Sequence, residues 1–247
     1  MTPILLIPAR LKATRLPAKP LADVAGVPMI VRVMRQAMAA ELGPVVVAAG
    51  EKEIVTVVEQ AGGKAVLTDP ALPSGSDRIH AALEALDPDG RHDVAINLQG
   101  DLPALDPKQI RAVAQALEES GADIATLAAE IKDPAERDNP HVVKAVVSWR
   151  ADGRLGRVLY FTRAAAPSGD GPLFHHVGIY AFRRAALRRF VALPPSALEK
   201  REKLEQLRAL EANMSIAVAR VDSVPLSVDT EADLAKANQF FARKSAS

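Results

Sequence analysis

At 247 residues with 49% hydrophobic content, the chain can bury a substantial core and is expected to form a single α/β domain spanning residues 1–247. Its 31 Lys and Arg balance 30 Asp and Glu, so no overall field would hold it on nucleic acid or on an anionic membrane, and any bound anion must be gripped locally. The absence of cysteine excludes disulfide frameworks, thiolate nucleophiles and Cys-ligated zinc, while leaving oxygen-ligated metals open.

The first apolar run, Ile4–Ile7, reads as a buried strand, because the basic residues follow it and no small-residue cleavage site comes after. No apolar stretch approaches the roughly 20 residues of a membrane-spanning helix, and a cytoplasmic location is expected. Behind the strand, Arg10, Lys12, Arg15 and Lys19 place four cations within ten residues, and no acid follows before Asp23. Such a cluster at a strand end suits a triphosphate, since Arg clamps phosphate oxygens in bidentate fashion. A solvated basic loop is the alternative. The loop has neither the P-loop spacing nor G-x-G-x-x-G, which weakens ATPase and dinucleotide-dehydrogenase readings.

Helical spacing at Met29–Ala40 and Glu51–Gln60 alternates with strands at Val45–Ala49 and Ala65–Leu67. Ser74-Gly75-Ser76-Asp77-Arg78 then opens a helix over Asp77–Leu86, with Ser76 or Asp77 as its cap, or presents backbone groups to a base. The strand Val94–Leu98 runs into Gln99-Gly100-Asp101-Leu102-Pro103. Asp101 is well placed to hold Mg²⁺ on a nucleotide, or else forms a turn before Pro103.

A helix at Pro107–Ser120 precedes strands at Ile124–Leu127, Val142–Val147 and His176–Phe182, with further helices at Ala185–Val191 and Pro195–Glu211. The stretch from about 150 to 211 is richer in Pro and basic residues and reads as a sub-domain inserted before the last strand. The pair His175 and His176 has no zinc-site spacing. The strand Ile216–Val221 leads to Asp229 and a final helix, Glu231–Ala242. Taken alone, Asp229 is best read as an N-cap with Asp233 supporting the first turn; paired with Asp101 it would complete a metal site for phosphoryl transfer. Strands alternating with helices imply a mostly parallel sheet with helices on both sides, whose ligands bind outside the carboxyl ends of the strands.

The segments IPARLKATRLPAKPL, SGSDRI, NLQGDLP, NPHVVKAV, LYFTRA, HHVGIYAFR, EKLEQLRALE and VDTEADL, in this order, resemble the 3-deoxy-manno-octulosonate cytidylyltransferase (CMP-Kdo synthetase) family from Ile7 to beyond Leu234. The resemblance implies a three-layer α/β/α nucleotide-diphospho-sugar transferase fold with a small inserted dimerisation sub-domain, a homodimer, CTP and Kdo as substrates, and Mg²⁺ as cofactor. It implies that Arg10, Arg15 and Lys19 bind the triphosphate, that Ser74 and Arg78 lie near cytidine, and that Asp101 and Asp229 are the metal carboxylates. Arg10, Lys19, Asp101 and Asp229 are then the catalytic set. Gln99, Arg163, His176, Tyr180, Glu205 and Gln206 match the sugar-acid pocket, and the leucines of Pro195–Glu211 would contribute to the dimer interface. The chain departs from the family at Ala13, where Ser is common, at Ala18, where Gly is common, and at Leu102, where Glu is common. Rival readings are a cytidylyltransferase for sialic acid or an amino-substituted Kdo, and a non-catalytic nucleotide-binding regulator. An RNA binder is weaker still, because the aromatic fraction is only 4%.

Overall fold

The chain begins with β1 (Pro3–Ala9), four apolar residues of which, Ile4 to Ile7, are buried on both faces. The computed structural model describes residues 1–12 and 16–245. A 3-10 turn (Lys19–Leu21) and a short hairpin, β2 (Asp23–Val24) and β3 (Val27–Pro28), lead into α1 (Met29–Ala39). There follow β4 (Val45–Ala49), α2 (Lys52–Gln60), β5 (Ala65–Leu67), α3 (Gly75–Leu86), β6 (Val94–Asn97) and α4 (Pro107–Ser120). The second half holds β7 (Ile124–Glu130), α5 (Pro134–Arg137), β8 (Lys144–Trp149), β9 (Leu155–Thr162), β10 (Phe174–Arg183), α6 (Arg184–Ala192), α7 (Ala197–Glu202), α8 (Leu207–Glu211), β11 (Ile216–Val221) and α9 (Glu231–Ser245).

The chain divides into two compact units, Met1–Ile110 with Pro225–Ser247, and Arg111–Val224. The basic and proline-rich stretch at 150–211 falls wholly inside the second unit. In the first unit β5, β4, β1 and β6 lie side by side and parallel, with Leu5 opposite Val45 and Ile96. Their carboxyl ends, at Ala9, Ala49, Leu67 and Asn97, therefore open to one edge. The amphipathic face of α1, carrying Ile30, Val33, Met34 and Ala37, is fully buried. The hairpin turns through Ala25 (φ 50°) and Gly26 (φ 79°), both left-handed as a tight two-residue hairpin requires. Leu16, Val24, Met29, Val228, Ala237 and Phe241 form one apolar cluster, which ties α9 to the segment behind the basic loop.

In the second unit β7 runs antiparallel to β10 and parallel to β11, while β9 is antiparallel to both β11 and β8. The parallel pattern expected along the whole chain thus holds for the first unit, whereas the second is mixed. Two strand-forming segments were not apparent in the sequence: the hairpin, and β9, whose exposed Arg157 and Leu159 interrupt its buried positions. β10 carries a bulge between Val177 and Ala181, and the Thr126 hydroxyl lies 2.8 Å from Ile179 O and 3.2 Å from Val177 O within it.

The helix expected over Pro195–Glu211 is two helices. Lys203, with φ 57°, breaks it after α7, and the chain re-enters helix only at Leu207. Of the four leucines expected to contribute to a dimer interface, Leu204 and Leu207 are buried within their own chain, while Leu198 and Leu210 are half-buried. α3 is capped by Ser74, whose Oγ accepts from Asp77 N at 3.2 Å, and not by Ser76 or Asp77.

Candidate active site

The edge where the first unit's parallel strands end holds a cleft of about 540 Å³. Arg10, Lys19, Ser74, Arg78, Gln99, Asp101 and Asp229 all line it, together with Lys12. Most come from turns beside the sheet, Arg10 and Lys12 after β1, Gln99 and Asp101 after β6 and Ser74 ahead of α3, while Lys19 opens the 3-10 turn and Arg78 lies in α3 itself. Gly100 lies against the β1 end so closely that a Cβ there would sit 3.1 Å from Pro8 O, which accounts for glycine beside Asp101. Arg15 belongs to the segment 13–15, outside the described residues, as does Ala13.

The Lys19 ammonium donates to Asp101 Oδ2 at 2.7 Å and to Asp229 Oδ1 at 3.0 Å. Burial alone would push this amine down, but the two carboxylates outweigh it and hold Lys19 above the ordinary lysine range. Asp229 is delivered by a main-chain bond, in which Val228 N donates to Asp101 O at 3.0 Å. It is not the cap of α9. Thr230 Oγ1 accepts from Asp233 N at 3.2 Å, and Asp233 Oδ2 accepts from Thr230 N at 3.1 Å, so the helix start is satisfied reciprocally by those two residues. The Asp229 carboxylate remains turned to Lys19 and the cleft.

Asp101 and Asp229 therefore converge on one cationic position with an all-oxygen donor set. No cluster of three or more His, Cys, Asp or Glu able to hold a metal occurs among the described residues. Two carboxylates with room for phosphate oxygens and water fit Mg²⁺ and fit no thiolate- or imidazole-seeking metal.

Two further groups shape the cleft. Arg78 is almost wholly buried, donating through Nη1 to Thr68 Oγ1 at 2.6 Å and to Asp69 O at 3.0 Å, so it braces the loop behind β5 while presenting an edge to the cleft. Burial pushes its guanidinium below the usual arginine range, partly countered by Glu51. Glu51 itself accepts from Leu11 N at 2.8 Å and pins the start of the basic loop. Sequence reasoning missed it, although its place directly behind β4 and Gly50 is where an open parallel sheet concentrates function.

The remaining residues, Arg163, His176, Tyr180, Glu205 and Gln206, all belong to the second unit. The His176 ring lies 4.7 Å from Phe161 and 5.5 Å from Tyr180, centroid to centroid. Its Nε2 is 3.0 Å from Thr126 Oγ1. With the threonine hydroxyl proton assigned to Ile179 O, Nε2 carries the histidine proton and Nδ1 is left as an acceptor. Burial, with a smaller contribution from His175, pushes His176 down to about 3, so the ring is neutral and can recognise a ligand only by hydrogen bonding. Burial and then the Glu205 charge push the Tyr180 phenol well above its ordinary value, so it stays a donor. Gln206 is buried at the start of α8. Arg163 directs Nε to Glu202 O at 2.8 Å and Nη1 to Pro140 O at 2.9 Å.

A family model described as Cytidylyltransferase matches residues 4–216. The chain is 64% identical, over 98% of its length and 94% of the relative's, to a 3-deoxy-manno-octulosonate cytidylyltransferase of Parvibaculum lavamentivorans. It is 63% identical to the protein of that name from Rhodospirillum centenum, over 95% of this chain and 91% of the other. Among solved structures, a CMP:2-keto-3-deoxy-manno-octonic acid synthetase complexed with CTP superposes with a TM-score of 0.90 at 34% identity, covering 99% of this chain and 100% of that one. A 4-diphosphocytidyl-2C-methyl-D-erythritol synthase from Anaerococcus prevotii shares the fold at a TM-score of 0.66 and 14% identity, over 98% of each chain. The α/β nucleotidyltransferase fold anticipated from the motifs is the fold of these neighbours. With a family model matching most of its length and relatives of this similarity along almost all of it, the chain belongs to the 3-deoxy-manno-octulosonate cytidylyltransferase family.

Proposed function

We propose that the protein transfers CMP from CTP to Kdo, releasing pyrophosphate and supplying activated Kdo for lipopolysaccharide synthesis. The observation that carries this reading is Lys19 held between Asp101 and Asp229 at the edge of a cleft rich in cationic side chains. Supporting it are the names of the relatives and the CTP carried by the solved neighbour.

In this reading the first unit holds CTP. Arg10, Lys12 and Lys19 receive the triphosphate and neutralise charge that builds on the departing pyrophosphate, which is where most catalysis of phosphoryl transfer arises. Asp101 and Asp229 hold Mg²⁺, which when bound neutralises phosphate charge and lowers the pKa of a hydroxyl nearby. The C2 hydroxyl oxygen of Kdo forms a bond to the α-phosphorus as the bond to the β-phosphate bridge breaks, and the hydroxyl proton passes to solvent. No side-chain base is assigned. The second unit recognises the sugar acid through Arg163, neutral His176, Tyr180, Glu205 and Gln206. A homodimer in the cytoplasm completes the proposal. Among the described residues no helix is long and apolar enough to cross a membrane, which agrees with that location.

The test is pyrophosphate release with each of the four NTPs, with and without Kdo and Mg²⁺. Release only with CTP, Kdo and Mg²⁺ together is expected. Release with a neutral sugar phosphate and UTP or GTP, and none with Kdo and CTP, would overturn the function and leave the fold standing.

A further inference from the structure

Arg163 leaves the carboxyl end of β9, and three separate segments close around its side chain. Glu202, the last residue of α7, accepts from the Thr162 hydroxyl through Oε1 at 2.9 Å and from Arg163 N through Oε2 at 3.0 Å. Its own carbonyl accepts from Arg163 Nε at 2.8 Å. On the other side, Arg163 Nη1 donates to Pro140 O at 2.9 Å. The turn carrying Pro140 is held in turn by Lys144, whose wholly buried side chain donates to Asn139 O at 2.7 Å and reaches Arg163 O at 3.4 Å.

A guanidinium is planar, so fixing Nε and Nη1 fixes the whole group. Nη2 is left with one long approach, 3.5 Å to Lys203 O, and so remains the edge with donor capacity to offer a ligand. Filling space does not require this arrangement. A buried lysine whose hydrogen bonds go to main-chain carbonyls, with Asp138 and Glu136 offsetting only part of its desolvation, is an expensive way to pack a strand, and an apolar side chain of that length would pack at lower desolvation cost. What the Lys144 and Glu202 side chains do together is fix the main chain from which the Arg163 guanidinium extends and the segments whose carbonyls receive it.

We propose that Glu202 and Lys144 are positioning residues that aim the free edge of Arg163 at the carboxylate of the sugar-acid acceptor. The inference rests on the reading of Arg163 as an acceptor-binding residue. It adds that acid specificity depends on a clasp built from α7 and the turn before β8, neither of which need touch the acceptor.

The experiment is steady-state kinetics with Kdo and CTP varied separately, in the wild type, Glu202→Ala, Glu202→Gln, Lys144→Met and Arg163→Ala, with thermal melting of each. Glu202→Ala is expected to raise the KM for Kdo about tenfold while the KM for CTP stays at the wild-type value. Glu202→Gln, which keeps a carbonyl acceptor, should recover most of that loss, and Lys144→Met should raise the acceptor KM in the same selective way. A wild-type acceptor KM in Glu202→Ala, or an equal rise in both KM values, would overturn the clasp. If Glu202→Ala does not fold, Lys144→Met and Glu202→Gln decide by the same criterion. An Arg163→Ala variant with unchanged acceptor KM would instead remove the underlying reading, whereas a raised acceptor KM there beside unaffected clasp variants would sink the positioning roles alone.

Discussion

Lys19 Nζ lies 2.7 Å from Asp101 Oδ2, across 82 positions of sequence, and the same nitrogen reaches Asp229. Removing that amine leaves two carboxylates facing each other at the cleft and takes one cation from the triphosphate. Lys19→Met is therefore expected to lower turnover by about two orders of magnitude or more, read from initial rates of pyrophosphate release.

The capping of α9 separates metal binding from stability. Asp101→Asn and Asp229→Asn are expected to abolish most turnover while melting close to the wild type. Thr230→Ala removes the cap and should cost about 1 kcal/mol of stability with turnover largely kept. Urea unfolding and initial rates on the three variants check this, and a Thr230→Ala enzyme that is stable but inactive would reverse the assignment of roles.

Metal dependence follows from the all-oxygen donor pair. Treatment with EDTA should stop pyrophosphate release, and Mg²⁺ should restore it in the wild type but not in Asp101→Asn. Isothermal titration of CTP should show tighter binding with Mg²⁺ present, a gain that the same substitution removes.

Ala18 sits in the left-handed region with φ 52° and ψ 28°. A Cβ in that conformation costs roughly 1 kcal/mol or more, a strain that glycine would not carry. Ala18→Gly is expected to raise the urea midpoint modestly without loss of activity. A lower midpoint would show that chain entropy outweighs the relieved strain.

His176 gives a pH signature. Its folded-state pKa is depressed to about 3, below the ordinary histidine value of 6.5. The unfolded chain therefore binds the extra proton first. Its contribution to stability is complete above the unfolded value and is lost progressively as pH falls from there toward the folded one, at up to about 1.4 kcal/mol per pH unit. Urea midpoints at pH 7.5 and pH 5 should differ more in the wild type than in His176→Gln, in which the titrating group is gone.

That the cleft's residues would meet at one edge was legible in sequence because an open parallel sheet sends its ligand groups to the residues just behind each strand. Arg10, Gln99, Asp101 and Ser74 all occupy such places. Less legible was anything set by a single backbone angle or a distant partner. The break at Lys203 lies inside an unbroken helical pattern, and the T-x-x-D spacing of Thr230 and Asp233, a capping-box signal that relieves Asp229 of capping, was overlooked in favour of the aspartate beside it. Glu51 and Glu202 carried no signal of their own within the expected helices Glu51–Gln60 and Pro195–Glu211, since their partners at Leu11 and Thr162 lie about forty residues away and only the fold brings them together. The neutrality of His176 likewise depends on burial by residues remote in the chain.

The bond from Val228 to Asp101 has a consequence for how the protein is made. The cleft is framed mostly by residues from the first half of the chain, which leave the ribosome early, but the second carboxylate arrives only with the segment ahead of α9. No growing chain that stops short of Asp229 holds both carboxylates. Synthesis itself thus withholds the paired carboxylates until the whole of the second unit, Arg111–Val224, has already been made.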